Sequence, residues 1–268
     1  MSRPIKANRL SFSAFIPAWL TPFFDDRLAI AAMIGFAAGF IRGFSGFGAG
    51  MIYVPLIGAL YGPRFAVTTI LVVDFVCSFP FMVAALPHVR WRETLPLLIA
   101  CAFTIPLGTM ALIYISPEPL RWAIAVMVIL FVVLLASGWR YHGSPKLPIT
   151  LGVGAISGAL GGATQIPGPP VIIYWLGGAI SAVAVRANLI TYFALFDLLS
   201  IIVYGWSGLL SNDTFAFGLL MLVPFLAGAA GGTMVFAFVS DANYRSAAYV
   251  IILFAAVSSL PLFDGFLR

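Results

Sequence analysis

Arg42 stands in a glycine-rich run, Arg42-Gly-Phe-Ser-Gly-Phe-Gly-Ala-Gly50, inside a long apolar stretch. A charge at membrane depth is costly and faces a cavity or a partner. Its planar fork can hold two oxygens of a small anion such as a sulfonate or carboxylate. The structural alternatives are an ion pair with Asp74, or snorkelling to a membrane surface. A second run, Gly161-Gly-Ala-Thr-Gln-Ile-Pro-Gly-Pro-Pro170, carries the neutral donors Thr164 and Gln165. Breaks of this kind free backbone amides, and glycine lets an anion come close to them. The candidate substrate-binding set is therefore Arg42, Gly43, Ser45, Gly46, Gly48, Gly50, Gly161, Gly162, Thr164, Gln165 and Gly168. Close helix packing through small residues is the competing reading of the same glycines.

Asp74 and Asp197 lie about ten residues into their apolar segments, roughly 15 Å deep at the rise of a helix. A carboxyl at that depth can carry a proton for coupled transport, or accept hydrogen bonds and fix a broken helix. Arg64, Arg121, Arg186 and Arg245 fall at helix ends that are expected to share the outer side. There they either draw an anion into a vestibule or anchor the segments at headgroups. Arg64 and Arg186 join the two aspartates as coupling or gating candidates. Cys77 and Cys101 belong to no metal-ligand spacing and read as small apolar residues. His88 and His142 read as solvated loop residues. No metal and no cofactor is expected, and no soluble-enzyme motif is present.

The elements that must position these groups follow from composition. Of 268 residues, 62% are hydrophobic and 9% charged, against about 25% charged in a soluble domain. The net charge of +5 fits cytoplasmic loops under the positive-inside rule, and no nucleic-acid partner is expected. Apolar segments run near 28–61, 65–86, 95–115, 120–138, 148–178, 183–206, 214–239 and 246–263. A span needs about 20 residues, so the first and fifth are too long and carry the two breaks. The expectation is an all-α polytopic membrane protein of about eight transmembrane segments, with broken first and fifth segments. If all eight cross with the N-terminus inside, nine basic residues lie inside and four outside. If the broken segments are re-entrant hairpins the count is seven against six. The eight-crossing arrangement is favoured on charge bias.

The chain also reads as a duplication of two four-segment repeats. Gly39 matches Gly161 and Arg64-x4-Thr69 matches Arg186-x4-Thr191, both at an offset of 122. Asp74 matches Asp197 at 123, and Gly108-Thr-Met110 matches Gly232-Thr-Met234 at 124. Four crossings per repeat would make the repeats parallel; three crossings and a hairpin would make them inverted. The expected divisions are an N-terminal interfacial segment 1–27, a first transmembrane repeat 28–138, a cytoplasmic linker 139–147 and a second repeat 148–268.

Gly35 to Leu56, GFAAGFIRGFSGFGAGMIYVPL, resembles the opening glycine-rich signature of the TauE/SafE sulfite exporter family. Gly152 to Leu176, GVGAISGALGGATQIPGPPVIIYWL, resembles its second copy, and His88-Val-Arg-Trp-Arg92 resembles its loop between spans two and three. The likeness runs from about residue 28 onward. It implies a multi-pass permease of the cell inner membrane for sulfite or organosulfonates. The sequence departs from that pattern at Ala49, where the family has glycine, at the charge of Arg42, and at Pro167-Gly-Pro-Pro170. The expected activity is export of a small sulfur-containing anion by a secondary transporter, with coupling to protons. Other carboxylate or anion permeation, a channel-like subunit and an intramembrane enzyme are the rivals. The expected partners are a small anionic substrate, the lipid bilayer, protons and a second copy in a homodimer.

Overall fold

The computed structural model describes residues 27–45, 47–139, 146–176 and 182–236, with Leu253, Ala256, Val257 and Leu260. The interfacial segment, most of the linker and Arg245 lie outside the described residues. Every regular element among those described is helical. The order is α1 (Leu28–Ser45), α2 (Ala49–Tyr61), α3 (Pro63–Ala85), α4 (Trp91–Tyr114), α5 (Pro117–Ala136), α6 (Leu147–Thr164), α7 (Gly168–Leu176), α8 (Ala182–Trp206) and α9 (Asn212–Phe236). Six of them, α3, α4, α5, α6, α8 and α9, are long and apolar enough to cross a membrane. Their exposed faces carry Phe103, Leu107, Leu130, Val223 and similar side chains, a surface that only lipid solvates well. The protein is a multi-pass membrane protein.

The two broken segments do not pass straight across. Each folds back on itself as a helical hairpin. The Arg27 guanidinium at the start of α1 donates to the Leu60 carbonyl at the end of α2, 2.9 Å away. In the second hairpin the hydroxyls of Thr150, at the start of α6, and Tyr174, near the end of α7, are 2.5 Å apart. The reversals have a local cause. Gly48, which precedes α2, has φ 89°, and Gln165, which ends α6, has φ 55°. A left-handed residue cannot continue a right-handed helix, and a side chain there is strained. This corrects the eight-crossing expectation. Charge counting assumed that each apolar segment changes sides, and a segment that returns to its starting side leaves the later ones inverted.

Packing gives the direction of each helix. Gly39 and Gly43 on α1 lie against the Phe225 and Ala229 backbones, so α1 and α9 run parallel. Gly154, Gly158 and Gly162 on α6 lie against Leu97, Cys101 and Ile105, so α6 and α4 run parallel. At all five glycines a Cβ would overlap a backbone carbonyl of the partner, so these seams exist because the side chain is missing. Thr68 and Thr214 meet at 3.5 Å, and Gly218 lies against Val72, which sets α3 parallel to α9. Arg64 at the start of α3 donates through Nε to the Leu112 carbonyl near the end of α4, 2.9 Å away, so α3 and α4 are antiparallel. The Arg90 amide donates to Asn188 Oδ1 at 2.8 Å, and Cys101 Sγ lies 3.4 Å from the Tyr192 hydroxyl, so α8 follows α4. Elements α6 to α9 therefore run in the opposite sense to α1 to α4, one by one.

Two apolar clusters fill the interior. One gathers α1, α2, α3, α5 and α9 around Ile41, Ile52, Ile70, Ile124 and Phe225. The other gathers α4, α7 and α8 around Leu97, Ile105, Trp175, Tyr192 and Phe196. Several buried threonines turn back on their own helix. Thr69 donates to the Phe65 carbonyl at 2.8 Å and Thr109 to that of Ile105 at 2.9 Å, which satisfies each hydroxyl locally.

Candidate functional site

The two hairpin tips meet in the middle of the molecule, between α3 and α8. A Cβ on Gly50 would lie 2.8 Å from the Gln165 carbonyl oxygen, so only glycine lets α2 begin this close to the other tip. The cavity between the tips is lined by Arg42, Gly48, Gly50, Asp74, Gln165, Gly168 and Asp197 of the expected residues. Its volume is about 30 Å³, on a scale where one water needs roughly 10–15 Å³. That is the size of a few waters or of one compact anion.

Arg42, on the last turn of α1, forms an ion pair with Asp74 of α3, Nη1 to Oδ2, at 3.0 Å. Its Nη2 donates to the Ser78 hydroxyl. Asp74 and Ser78 are one helical turn apart, so they face the guanidinium together. Asp197 comes from α8 on the opposite wall and is 4% exposed. Three polar atoms around this one small space have no hydrogen-bond partner: Asp74 Oδ1, Asp197 Oδ2 and Gln165 Nε2. Gln165 is 7% exposed and its side chain adjoins the Tyr204 hydroxyl, which itself donates to the Gly162 carbonyl at 2.7 Å. Buried polar atoms are nearly always paired, and three unpaired ones gather around this one cavity.

The tips differ in what they offer. Helix α2 starts with no side-chain cap, so its first-turn amides around Ala49 and Gly50 face the cavity. Helix α7 starts Gly168-Pro169-Pro170, and prolines have no amide hydrogen. The amide donors at the site thus come chiefly from the first hairpin, and the second adds the Gln165 side chain.

Other expected residues go elsewhere. Gly43 and Gly162 lie in the seams with α9 and α4, and Gly161 packs on the Phe196 ring. Thr164 donates to the Leu160 carbonyl at 2.7 Å. The Ser45 side chain and Gly46 lie outside what the structure describes. Arg64 is bound to the carbonyls of Leu112, Ile113 and Ile115, where it closes the end of α4. Arg186 sits near the start of α8, beside the α3–α4 corner, at the opposite end of the molecule from Arg64. A shared vestibule for these two arginines is excluded, because α3 and α8 run in opposite directions. Ser78 and the cavity walls Phe47, Met51, Ile166 and Phe193 were not among the expected residues. Ser78 and Phe193 each lie four residues from an aspartate on the same helix, and that spacing was the available signal.

The family model described as Sulfite exporter TauE/SafE matches residues 31–259, from α1 to beyond α9. The chain belongs to the sulfite exporter TauE/SafE family. Both hairpin tips, α3 and α8 fall within the matched region, so the cavity of this TauE/SafE chain is built wholly from family sequence. No curated protein and no solved structure matches the chain.

Proposed function

We propose that the protein is a secondary transporter that exports a small sulfur-containing anion, sulfite or a short organosulfonate, across the cell inner membrane. The observation that carries this reading is the cavity where two hairpin tips meet. It holds one arginine, uncapped helix amides and three unpartnered polar atoms in a space that fits a compact oxyanion. Arg42 and the α2 amides attract the charge, Gln165 donates from the second tip, and Asp74 and Asp197 shape the site or carry a proton. The family description supports sulfite as cargo.

The duplication is part of the same reading, with the repeats inverted and a hairpin at the head of each. The two glycine seams support it. Gly35, Gly39 and Gly43 face the region of Met221, Phe225 and Ala229, while Gly154, Gly158 and Gly162 face Leu97, Cys101 and Ile105. The first helices thus align at an offset of 119 and the last at 124. On that alignment Gly39 answers to Gly158 instead of Gly161, and Arg42 to Gly161. Only the first tip then carries a charge.

Purified protein in liposomes loaded with unlabelled sulfite is expected to take up external labelled sulfite transiently against its gradient. Such counterflow requires a carrier. Flux that never saturates and shows no counterflow would make the cavity a pore and remove the carrier reading.

A further inference from the structure

The two buried aspartates are not equivalent. The Asp74 charge is matched: Arg42 lies 3.0 Å from it, and Ser78 accepts a second hydrogen bond from the same guanidinium. Asp197 has no cation within ion-pair distance among the described residues, and nothing donates to its Oδ2. It nevertheless lines the cavity that Arg42 lines. With both carboxyls ionised, the three side chains sum to one negative charge, which repels an anion. A protonated Asp197 removes that charge and turns an acceptor into an O–H donor aimed at the solute.

We propose that Asp197 is the proton-binding group of the carrier, and that it takes up one proton with each anion, while Asp74 holds Arg42 in place. This rests on the carrier reading above. The step is a proton transfer alone. A proton from water on the loading side joins an Asp197 oxygen as the anion enters, and both leave together on the other side. Empty and loaded sites then have the same net charge when the anion is monovalent. The linkage has a sign. An inward proton gradient drives uptake and opposes export, so net export needs an anion gradient large enough to overcome it.

The other titratable or charged groups near Asp197 are few. Arg42 comes from α1, Asp74 and Cys77 from α3, and Tyr192 and Tyr204 from α8 itself. From α4, Cys101 is in contact with Tyr192, and Arg90 and Glu93 pair with each other near the helix start. From α7, Tyr174 bonds Thr150. His88, in the turn after α3, is exposed.

The test uses methanesulfonate, because sulfite itself changes charge near neutral pH. Wild-type protein is expected to bind methanesulfonate more weakly as pH rises, by up to about tenfold per unit for one linked proton. Binding is expected to take up one proton per anion from weakly buffered solution. Asp197→Asn should lose both the pH slope and the proton uptake, and Asp197→Glu should keep them. A substrate-free readout stands beside these. As pH is lowered in the absence of anion, the infrared carbonyl stretch of a protonated carboxyl should grow in wild type and Asp197→Glu and stay absent from Asp197→Asn. If Asp197→Asn keeps the band or the pH slope, the assignment is wrong. If the band maps to Asp197 but wild type binds neither methanesulfonate nor sulfite, the carrier reading fails and the linkage fails with it. Loss of the slope and of the band in Asp197→Asn, with both kept in Asp197→Glu, sustains the assignment.

Discussion

Arg42 is held by two acceptors that belong to one helix face, and the geometry depends on its fork. Lysine has the charge but one point of attachment, so it cannot satisfy Asp74 and Ser78 and still reach a solute. Arg42→Lys is expected to weaken sulfite binding by about tenfold or more, as befits loss of a charge-assisted bond. Ser78→Ala should cost only about 1 kcal/mol, a few-fold, because Asp74 keeps the guanidinium in place. Titration calorimetry with sulfite reads both. Equal losses in the two variants would mean that Ser78, and not the charge pair, sets the orientation of Arg42.

The functional unit at the scale of elements is the hairpin, and its position is set by glycine seams. The outer arm of each hairpin, α1 or α6, lies directly against the backbone of α9 or α4. Gly43→Val and Gly162→Val would each drive a side chain into a partner carbonyl. Each is expected to destabilise the protein by about 1–3 kcal/mol or more, read as a lower melting temperature in detergent. Gly152 is the control. It lies on α6 with nothing near its would-be Cβ, so Gly152→Ala should be neutral or stabilising by up to about 1 kcal/mol. A melting temperature unchanged by Gly43→Val would mean that the α1–α9 seam opens freely.

The seams also decide which parts of the whole molecule move together. Each joins the first helix of one sequence half to the fourth of the other, so the halves cannot rock as separate bodies. The seams predict two mixed bodies, one of α1, α2, α3 and α9, the other of α6, α7, α8 and α4, which meet where α3 packs on α8 beside the cavity. Cysteine pairs test this in a background free of Cys77 and Cys101. A pair at Phe40 and Gly231, where α1 meets α9, should be stapled by a short bifunctional thiol reagent with transport intact. A pair at Arg64 and Ile115, which joins α3 to the end of α4, should stop transport when stapled. The reverse outcome would show that the bodies are the sequence halves after all.

Apolar length, the two glycine–proline breaks and the few deep charges were legible in the residues alone. They report a local cost. A segment that cannot dissolve in water must enter lipid, and a charge or a freed amide there needs a partner wherever the chain goes. Arg42, Asp74, Gln165 and Asp197 could therefore be singled out one at a time. Their meeting, the return of each broken segment and the opposite placing of Arg64 and Arg186 were decided only by tertiary structure. Those outcomes depend on backbone reversal at Gly48 and Gln165 and on which distant carbonyl each glycine faces, and neither is a property of a segment by itself.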